Sequence, residues 1–175
     1  MPRLLAISGS LREASSNTSL LIAAERLAPA GLVIDRYRDL GLLPHFNPDL
    51  EDDPPTIVRG LRARIDAADG LIISCPEYAR GIPGTFKNLL DWLVGSPNFF
   101  GKPVALFNAS PRASEAQKSL RLVLRTIGAR LVDDAAITVD LMTRKLTAAE
   151  ITVDGAMAQQ IAAALRSFGL AIDRS

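Results

Sequence analysis

The chain of 175 residues has one cysteine, Cys75, and one histidine, His45. A single thiol excludes an internal disulfide framework and a cysteine-rich metal site, and a single imidazole excludes a multi-histidine metal centre. No apolar run approaches the roughly 20 residues of a membrane span. Charge of one sign is not in excess either. Lys and Arg number 20 against 19 Asp and Glu, a formal net charge of +1, so no general nucleic-acid or membrane surface is expected. Internal repeats, linkers and low-complexity segments are absent. Hydrophobic residues make up 48% of the chain, which excludes disorder. The length suits one domain over residues 1–175 with a substantial core. A first strand starting at Arg3 leaves no room for a signal peptide, and a cytoplasmic location is the default expectation.

Apolar runs alternate with amphipathic ones. Residues 4–7 form a short apolar strand, followed by Leu20, Leu21, Ala24, Leu27 and Ala28 at helical spacing. Val33–Tyr37 alternates imperfectly, as a strand near a sheet edge does. Ile57, Leu61, Ile65 and Ala68 share one helical face. Gly70–Ser74 and Pro103–Asn108 are continuous apolar runs of the kind buried on both faces of a parallel sheet. Between them, residues 84–94 form a helix with Pro83 in its first turn. Leu120, Val123, Leu124 and Ile127 define another helix, capped by Gly128. A last strand begins at 130–132 with a continuation at 136–139, and Met157 to Phe168 is the closing helix, with Gly169 after it. Residues 141–154 yield no clear reading.

This is a βαβαβαβαβα order, so the sheet should be parallel and covered on both faces. Neither Gly-x-Gly-x-x-Gly nor a Walker loop is present, which argues against a standard dinucleotide fold and against P-loop NTPases. The expected fold is α/β and flavodoxin-like: a three-layer sandwich whose five-stranded parallel sheet has the order 2-1-3-4-5.

The first strand–helix junction, Ser8-Gly9-Ser10-Leu11-Arg12-Glu13-Ala14-Ser15-Ser16-Asn17, is rich in hydroxyls and carries a guanidinium. Ser15, Ser16 or Asn17 can cap the helix. Capping needs no cation, so Arg12 points further, to a phosphate held by the helix N-terminus, the hydroxyls and the arginine together. In the expected strand order the loop after strand three flanks the same crevice. That loop, Cys75-Pro76-Glu77-Tyr78-Ala79-Arg80-Gly81-Ile82-Pro83-Gly84, can offer main-chain groups and an aromatic wall to a flat heterocycle. The long 39–55 segment is either a wall of the site or a surface loop plugged by Phe46, and His45 within it has no partner visible in the sequence.

Two motifs occur in order: Gly9-Ser10-Leu11-Arg12-x-x-Ser15-x-Asn17 and Pro76-Glu77-Tyr78-x-x-Gly81-Ile82-Pro83-Gly84-x-x-Lys87-Asn88-x-x-Asp91-Trp92. Together they closely resemble the NADPH-dependent FMN reductase family, which includes flavin, quinone, azo-dye and chromate reductases. The resemblance runs from Arg3 to about Gly128. It implies an FMN-dependent oxidoreductase that takes hydride from NADPH, or NADH, and passes it to a small-molecule acceptor. Ser10, Arg12, Ser15 and Asn17, with the amide of Ser16, would hold the FMN phosphate. Pro76, Glu77, Tyr78 and Ala79 would lie along the isoalloxazine, largely through main-chain atoms, and Ser110 would meet the cofactor from the other side. No residue is assigned as catalytic, because hydride transfer to flavin requires no general acid or base. Lys87, Asn88, Asp91 and Trp92 would begin the helix and help to build the interface of a homodimer or homotetramer, with Trp92 equally open to a simple core role.

The chain departs from the family pattern in two places. Ala79 stands where the family has asparagine, with the large charged Arg80 beside it. The segment Asn108-Ala109-Ser110-Pro111-Arg112-Ala113-Ser114 replaces a glycine-rich turn. Arg80 and Arg112 are uncommitted cations near the pocket. Three rival classes are open to the same residues. A cysteine phosphatase would use Cys75 and Arg80, but the spacing is one residue short and Gly81 stands where its arginine belongs. A phospho-receiver domain needs carboxylates at the strand ends, where Ser8 and Ser74 stand. A flavin-binding electron carrier or redox sensor shares the loops, although flavodoxin carriers are usually much more acidic.

Overall fold

The computed structural model describes residues 1–173. Strand β1 (Arg3–Ser8) lies between β2 (Val33–Tyr37) and β3 (Gly70–Ser74), and β4 (Pro103–Asn108) follows β3. All pairings are parallel, and the path through the sheet is β2-β1-β3-β4-β5, the expected order. The fifth position is not one strand. Two short strands, β5 (Arg130–Leu131) and β6 (Ile137–Thr138), pair separately with the two ends of β4. A single 3₁₀ turn at Asp133–Ala135 separates them. The adjacent acids Asp133 and Asp134 stay exposed while Ala135 turns into the core, so the segment cannot keep strand pleat there.

The strands bury both faces, as their near-continuous apolar sequences require. Leu5, Ile7, Leu71, Ile73, Val104 and Leu106 face α2 (Thr56–Asp66), α3 (Gly84–Leu93) and α4 (Ser114–Thr126). Leu4, Ala6, Ile72, Ala105 and Phe107 face α1 (Ser16–Arg26), α5 (Ala148–Val153) and α6 (Gly155–Asp173). Edge strand β2 alternates only imperfectly because its adjacent Asp35 and Arg36 are both taken up in ion pairs with flanking helices: Arg36 bonds Glu25 of α1 at 2.6 Å and Arg64 of α2 bonds Asp35 at 2.6 Å.

Three local features differ from the sequence reading. Pro83 caps α3 from one position outside it. Gly169 does not follow the closing helix but lies inside it, because α6 continues to Asp173. The continuation packs Ile172 over Gly70, where an added Cβ would sit 2.9 Å from Phe168 and 3.0 Å from Ile172. Residues 141–154 hold helix α5, opened by a reciprocal capping box between Thr147 and Glu150. The Glu150 amide donates to Thr147 Oγ1 at 3.3 Å, and the Thr147 amide donates to Glu150 Oε2 at 2.8 Å. The Thr-x-x-Glu spacing that signals such a box is plain in the sequence. Buried Leu141 and Ile151 anchor the segment against the α1 side of the sheet.

Candidate functional site

A cleft of about 260 Å³ opens at the carboxyl ends of β1, β3 and β4. This is where the reversal of strand order leaves a crevice in an open α/β sheet. Three loops and Met142 line it. Ser10, Arg12, Ser15, Ser16 and Asn17 come from the first; Cys75, Pro76, Glu77 and Tyr78 from the second; Asn108, Ala109, Ser110, Arg112 and Ala113 from the third. The structure therefore brings together every expected cofactor-site residue except Ala79.

The first loop is locked from within. The Ser10 amide donates to Ser8 Oγ and the Arg12 amide to Ser10 Oγ, both at 3.3 Å. Ser15 is the N-cap of α1 and accepts from the Thr18 amide at 3.4 Å. Buried Ser74 on β3 donates to Asn17 Oδ1 at 2.9 Å, which ties the start of α1 to the neighbouring strand. That bond fixes the orientation of the Asn17 amide and leaves its NH₂ donors without a partner among the described residues. Gly9 passes so close to β3 that a Cβ there would lie 3.1 Å from Cys75 Sγ and 3.2 Å from the Phe86 ring. The approach lets the Gly9 amide donate to the Ser74 carbonyl at 2.8 Å. The result is a donor-rich end to the cleft: free amides of the first helical turn, serine hydroxyls, the Asn17 NH₂ and the Arg12 guanidinium. A phosphate monoester, which is acceptor-only as a dianion, fits that donor set.

The second loop places Glu77 in the cleft lining and Ala79 outside it. Glu77 lines the cleft, but its carboxylate faces α4: Oε2 accepts from the amides of Glu115 and Ala116 at 2.9 and 3.0 Å. It caps a helix that has no side-chain cap of its own at Ala113. Ala79 is at the tip of a two-residue reverse turn, clear of the cleft. The turn is closed by Tyr78 and Gly81, whose amides each donate to the other's carbonyl at 3.1 and 3.0 Å. Ala79 and Arg80 both have left-handed backbones, with φ of 49° and 61°. That is the type I′ pattern, which favours asparagine followed by glycine. The asparagine usual there in the family thus has a backbone reason, and its replacement leaves a strained turn beside Tyr78, whose side chain is 49% exposed at the cleft mouth. On the far side of Tyr78 a more open groove runs between Gly9, Leu11, Arg12, Pro83, Gly84 and Thr85. A flat ring lying on Pro76 and Tyr78 has room in that direction.

The third loop repeats the construction of the first. The Ser110 amide donates to Asn108 Oδ1 and the Arg112 amide to Ser110 Oγ, both at 3.2 Å. Asn108 and Met142 were missed from the sequence. The Asn-x-Ser spacing carries a signal for such an Asx turn, whereas Met142 reaches the cleft only through the packing of 139–141 along β4.

The remaining candidates fall away from the chemistry. Burial pushes the Cys75 thiol up to about 12, and its Sγ–H donates to the Pro76 carbonyl at 3.4 Å. A thiol in that state is no phosphatase nucleophile. Among the described residues, no group of three or more His, Cys, Asp or Glu side chains could hold a metal ion, as a receiver-type acidic cluster would. The 39–55 segment is the plugged surface loop. Phe46 meets Trp92 edge-on at 5.0 Å, Asn88 bonds both the Phe46 amide and the Pro44 carbonyl, and Trp92 Nε1–H donates to the same carbonyl at 2.8 Å. Asn88 and Trp92 thus hold this loop from within the protomer, Lys87 pairs with Asp91 at 2.5 Å, and His45 is exposed.

Comparison with known proteins agrees with this geometry. The chain matches the family described as NADPH-dependent FMN reductase over residues 2–143. It is 38% identical over 125 residues to a 2-hydroxy-1,4-benzoquinone reductase from a Burkholderia species, covering 68% of each chain. It is also 38% identical over 129 residues to an NAD(P)H-dependent FMN reductase from Pseudomonas aeruginosa, covering 70% of this chain and 69% of that one. Among solved structures, the NAD(P)H:acceptor oxidoreductase FerB, a flavoenzyme from Paracoccus denitrificans, superposes with a TM-score of 0.81 at 27% identity. That superposition covers 99% of this chain and 98% of FerB.

Proposed function

The chain belongs to the NADPH-dependent FMN reductase family, and we propose that it binds FMN in the three-loop cleft and transfers hydride from NADPH, or NADH, to a small-molecule acceptor. The observation that carries this reading is the donor-rich end of the cleft, formed by Ser10, Arg12, Ser15, Ser16 and Asn17, set beside the Pro76–Tyr78 wall in one continuous cavity. Arg12, the hydroxyls of Ser10 and Ser15, the Ser16 amide and the Asn17 NH₂ hold the phosphate. Pro76, Glu77 and Tyr78 support the ring through main-chain atoms, and Ser110 closes the opposite side. Bound FMN supplies the hydride chemistry; the protein supplies binding, orientation and electrostatics. A quinone is the acceptor we favour, on the likeness to the benzoquinone reductase.

The half-exposed Tyr78 and the exposed Leu11 flank the groove at the start of α3. They support assembly as a homodimer or homotetramer that covers this groove. A protomer-sized mass by light scattering at assay concentration would refute assembly. No helix of the described residues is long and apolar enough to cross a membrane.

The deciding experiment is the visible spectrum of the FMN-loaded protein before and after anaerobic NADPH. Retained flavin bands that bleach rapidly establish the reductase. Retained bands that persist indicate an electron carrier or sensor. Failure to bind FMN in a fluorescence titration refutes the proposal.

A further inference from the structure

We infer that Arg112 is a catalytic residue of this cleft, holding the negative charge that FMN gains on two-electron reduction. The inference rests on the FMN reading above.

Two arginines enter one cleft on loops of the same design. Each sits four residues after the last residue of its strand, Ser8 or Asn108, and each loop is locked by successive hydrogen bonds from backbone amides to a polar side chain two residues back. Arg12 and Arg112 are exposed, and neither guanidinium has a hydrogen bond or ion pair among the described residues. Arg12 stands with the donor-rich start of α1, so one anionic group is matched there. A second guanidinium in the same cavity, without a partner among the described residues, is available to a second negative charge.

The sheet order locates that charge. Loops after β1, β3 and β4 stand side by side, at about 4.8 Å per strand. A ligand with its phosphate on the first loop and its ring on the second therefore presents the far edge of the ring to the third, roughly 10 Å from the phosphate loop. On oxidised FMN that edge is neutral. Transfer of one hydride from C4 of a reduced nicotinamide breaks that C–H bond, forms the flavin N5–H bond and releases the nicotinamide as its cation. The two electrons leave one added negative charge on the flavin, at its N1–C2=O edge.

The other positive groups near the third loop are already matched. The N-terminus of α4 is occupied by the Glu77 carboxylate, so its dipole cannot serve the ring. Lys118 pairs with Glu115 at 2.8 Å, and Arg80 sits on the Tyr78–Gly81 turn and does not line the cleft. Arg112 remains as the uncompensated cation. It stands where the family pattern has a glycine-rich turn, so it is a property of this chain and not of the fold. A fixed positive charge placed where charge develops needs no reorganisation during the reaction.

The test compares wild type with Arg112→Met and Arg112→Lys, all loaded with FMN. The readouts are oxidised-FMN affinity by fluorescence and the two-electron midpoint potential by equilibration with a reference dye. We expect Arg112→Met to leave oxidised-FMN affinity within about twofold and to weaken reduced-FMN affinity about tenfold. That is a midpoint about 30 mV lower for a two-electron couple. Arg112→Lys should recover most of the shift. An unchanged midpoint in Arg112→Met overturns the inference. So does an equal loss of oxidised and reduced affinity, which would mean contact with a part of FMN whose charge does not change. A raised KM for NADPH but not for NADH, at constant midpoint, would assign Arg112 to the nucleotide 2′-phosphate instead. Failure of wild type to bind FMN, read before any variant is made, removes the parent reading along with the inference.

Discussion

Replacement of Glu77 by alanine separates helix capping from cofactor contact. In the structure its Oε2 accepts two amide hydrogen bonds, at 2.9 and 3.0 Å, from the first turn of α4. Hydrogen bonds to a charged group contribute about 1.5–3 kcal/mol each when buried, while a lost N-cap costs roughly 0.5–2 kcal/mol. Glu77 and Glu115 are half-buried, so water reaches the freed amides and the capping range applies, at its upper end because the cap is charged and takes two amides: about 2 kcal/mol for the pair. For a chain of this size that lowers Tm by about 4–8 °C. The loss should appear in the FMN-free protein by circular dichroism. FMN affinity should fall as well, because the same bond joins the Pro76–Tyr78 wall to the helix that follows Arg112. Glu77→Gln keeps an acceptor oxygen and loses only the charge, so it should cost about 1 kcal/mol or less. An FMN-free Glu77→Ala protein that melts with wild type while losing FMN would refute the reasoning. The carboxylate would then act on the cofactor and not on α4.

Three further outcomes follow from the geometry. Arg12→Ala should weaken FMN binding by about 10- to 100-fold, from the loss of a charge-assisted contact to phosphate, and a fluorescence titration with unchanged affinity would remove Arg12 from the phosphate site. The paired change Ala79→Asn with Arg80→Gly relieves two left-handed non-glycine residues and should raise Tm by about 2–4 °C, on the order of 1 kcal/mol after the added glycine entropy; a lower Tm would show that the turn is not strained. Cys75, pushed from 9.0 to about 12 by burial, should react with iodoacetamide at pH 8 about a thousandfold more slowly in the native than in the unfolded protein. The native state keeps this proton longer, so its contribution to stability is complete below about pH 9 and is lost as pH rises from 9 towards 12. Cys75→Ala should therefore flatten the alkaline limb of a stability–pH curve.

Periodicity carried the sheet because burial on both faces leaves an unbroken apolar signature at Gly70–Ser74 and Pro103–Asn108. Parallel strands joined by helices then admit few orders, and the one expected is the one found. Ser10, Arg12, Ser15, Ser16 and Asn17 were legible for a similar reason. They are contiguous, and the chemistry of a capped helix start beside an arginine is local. The interruption between β5 and β6 was only half visible, since exposed Asp133 and Asp134 mark a break without saying that both halves pair with β4.

Side-chain direction was the part that required tertiary structure. Glu77 sits in a motif that resembles a cofactor loop, yet its carboxylate finds the amides of Glu115 and Ala116, 38 and 39 residues away. For Trp92 the sequence left interface and core open, and the contacts that it and Asn88 make to the Pro44 carbonyl of the 39–55 segment are visible only in the fold. Met142 enters the cleft by packing alone. The sequence by itself determined the architecture and the donor-rich first loop of the cleft, because both depend on spacing along a few neighbouring residues. The tertiary structure decided which polar group each carboxylate, amide and indole satisfies, because a buried polar atom takes whatever partner the fold brings within 3 Å.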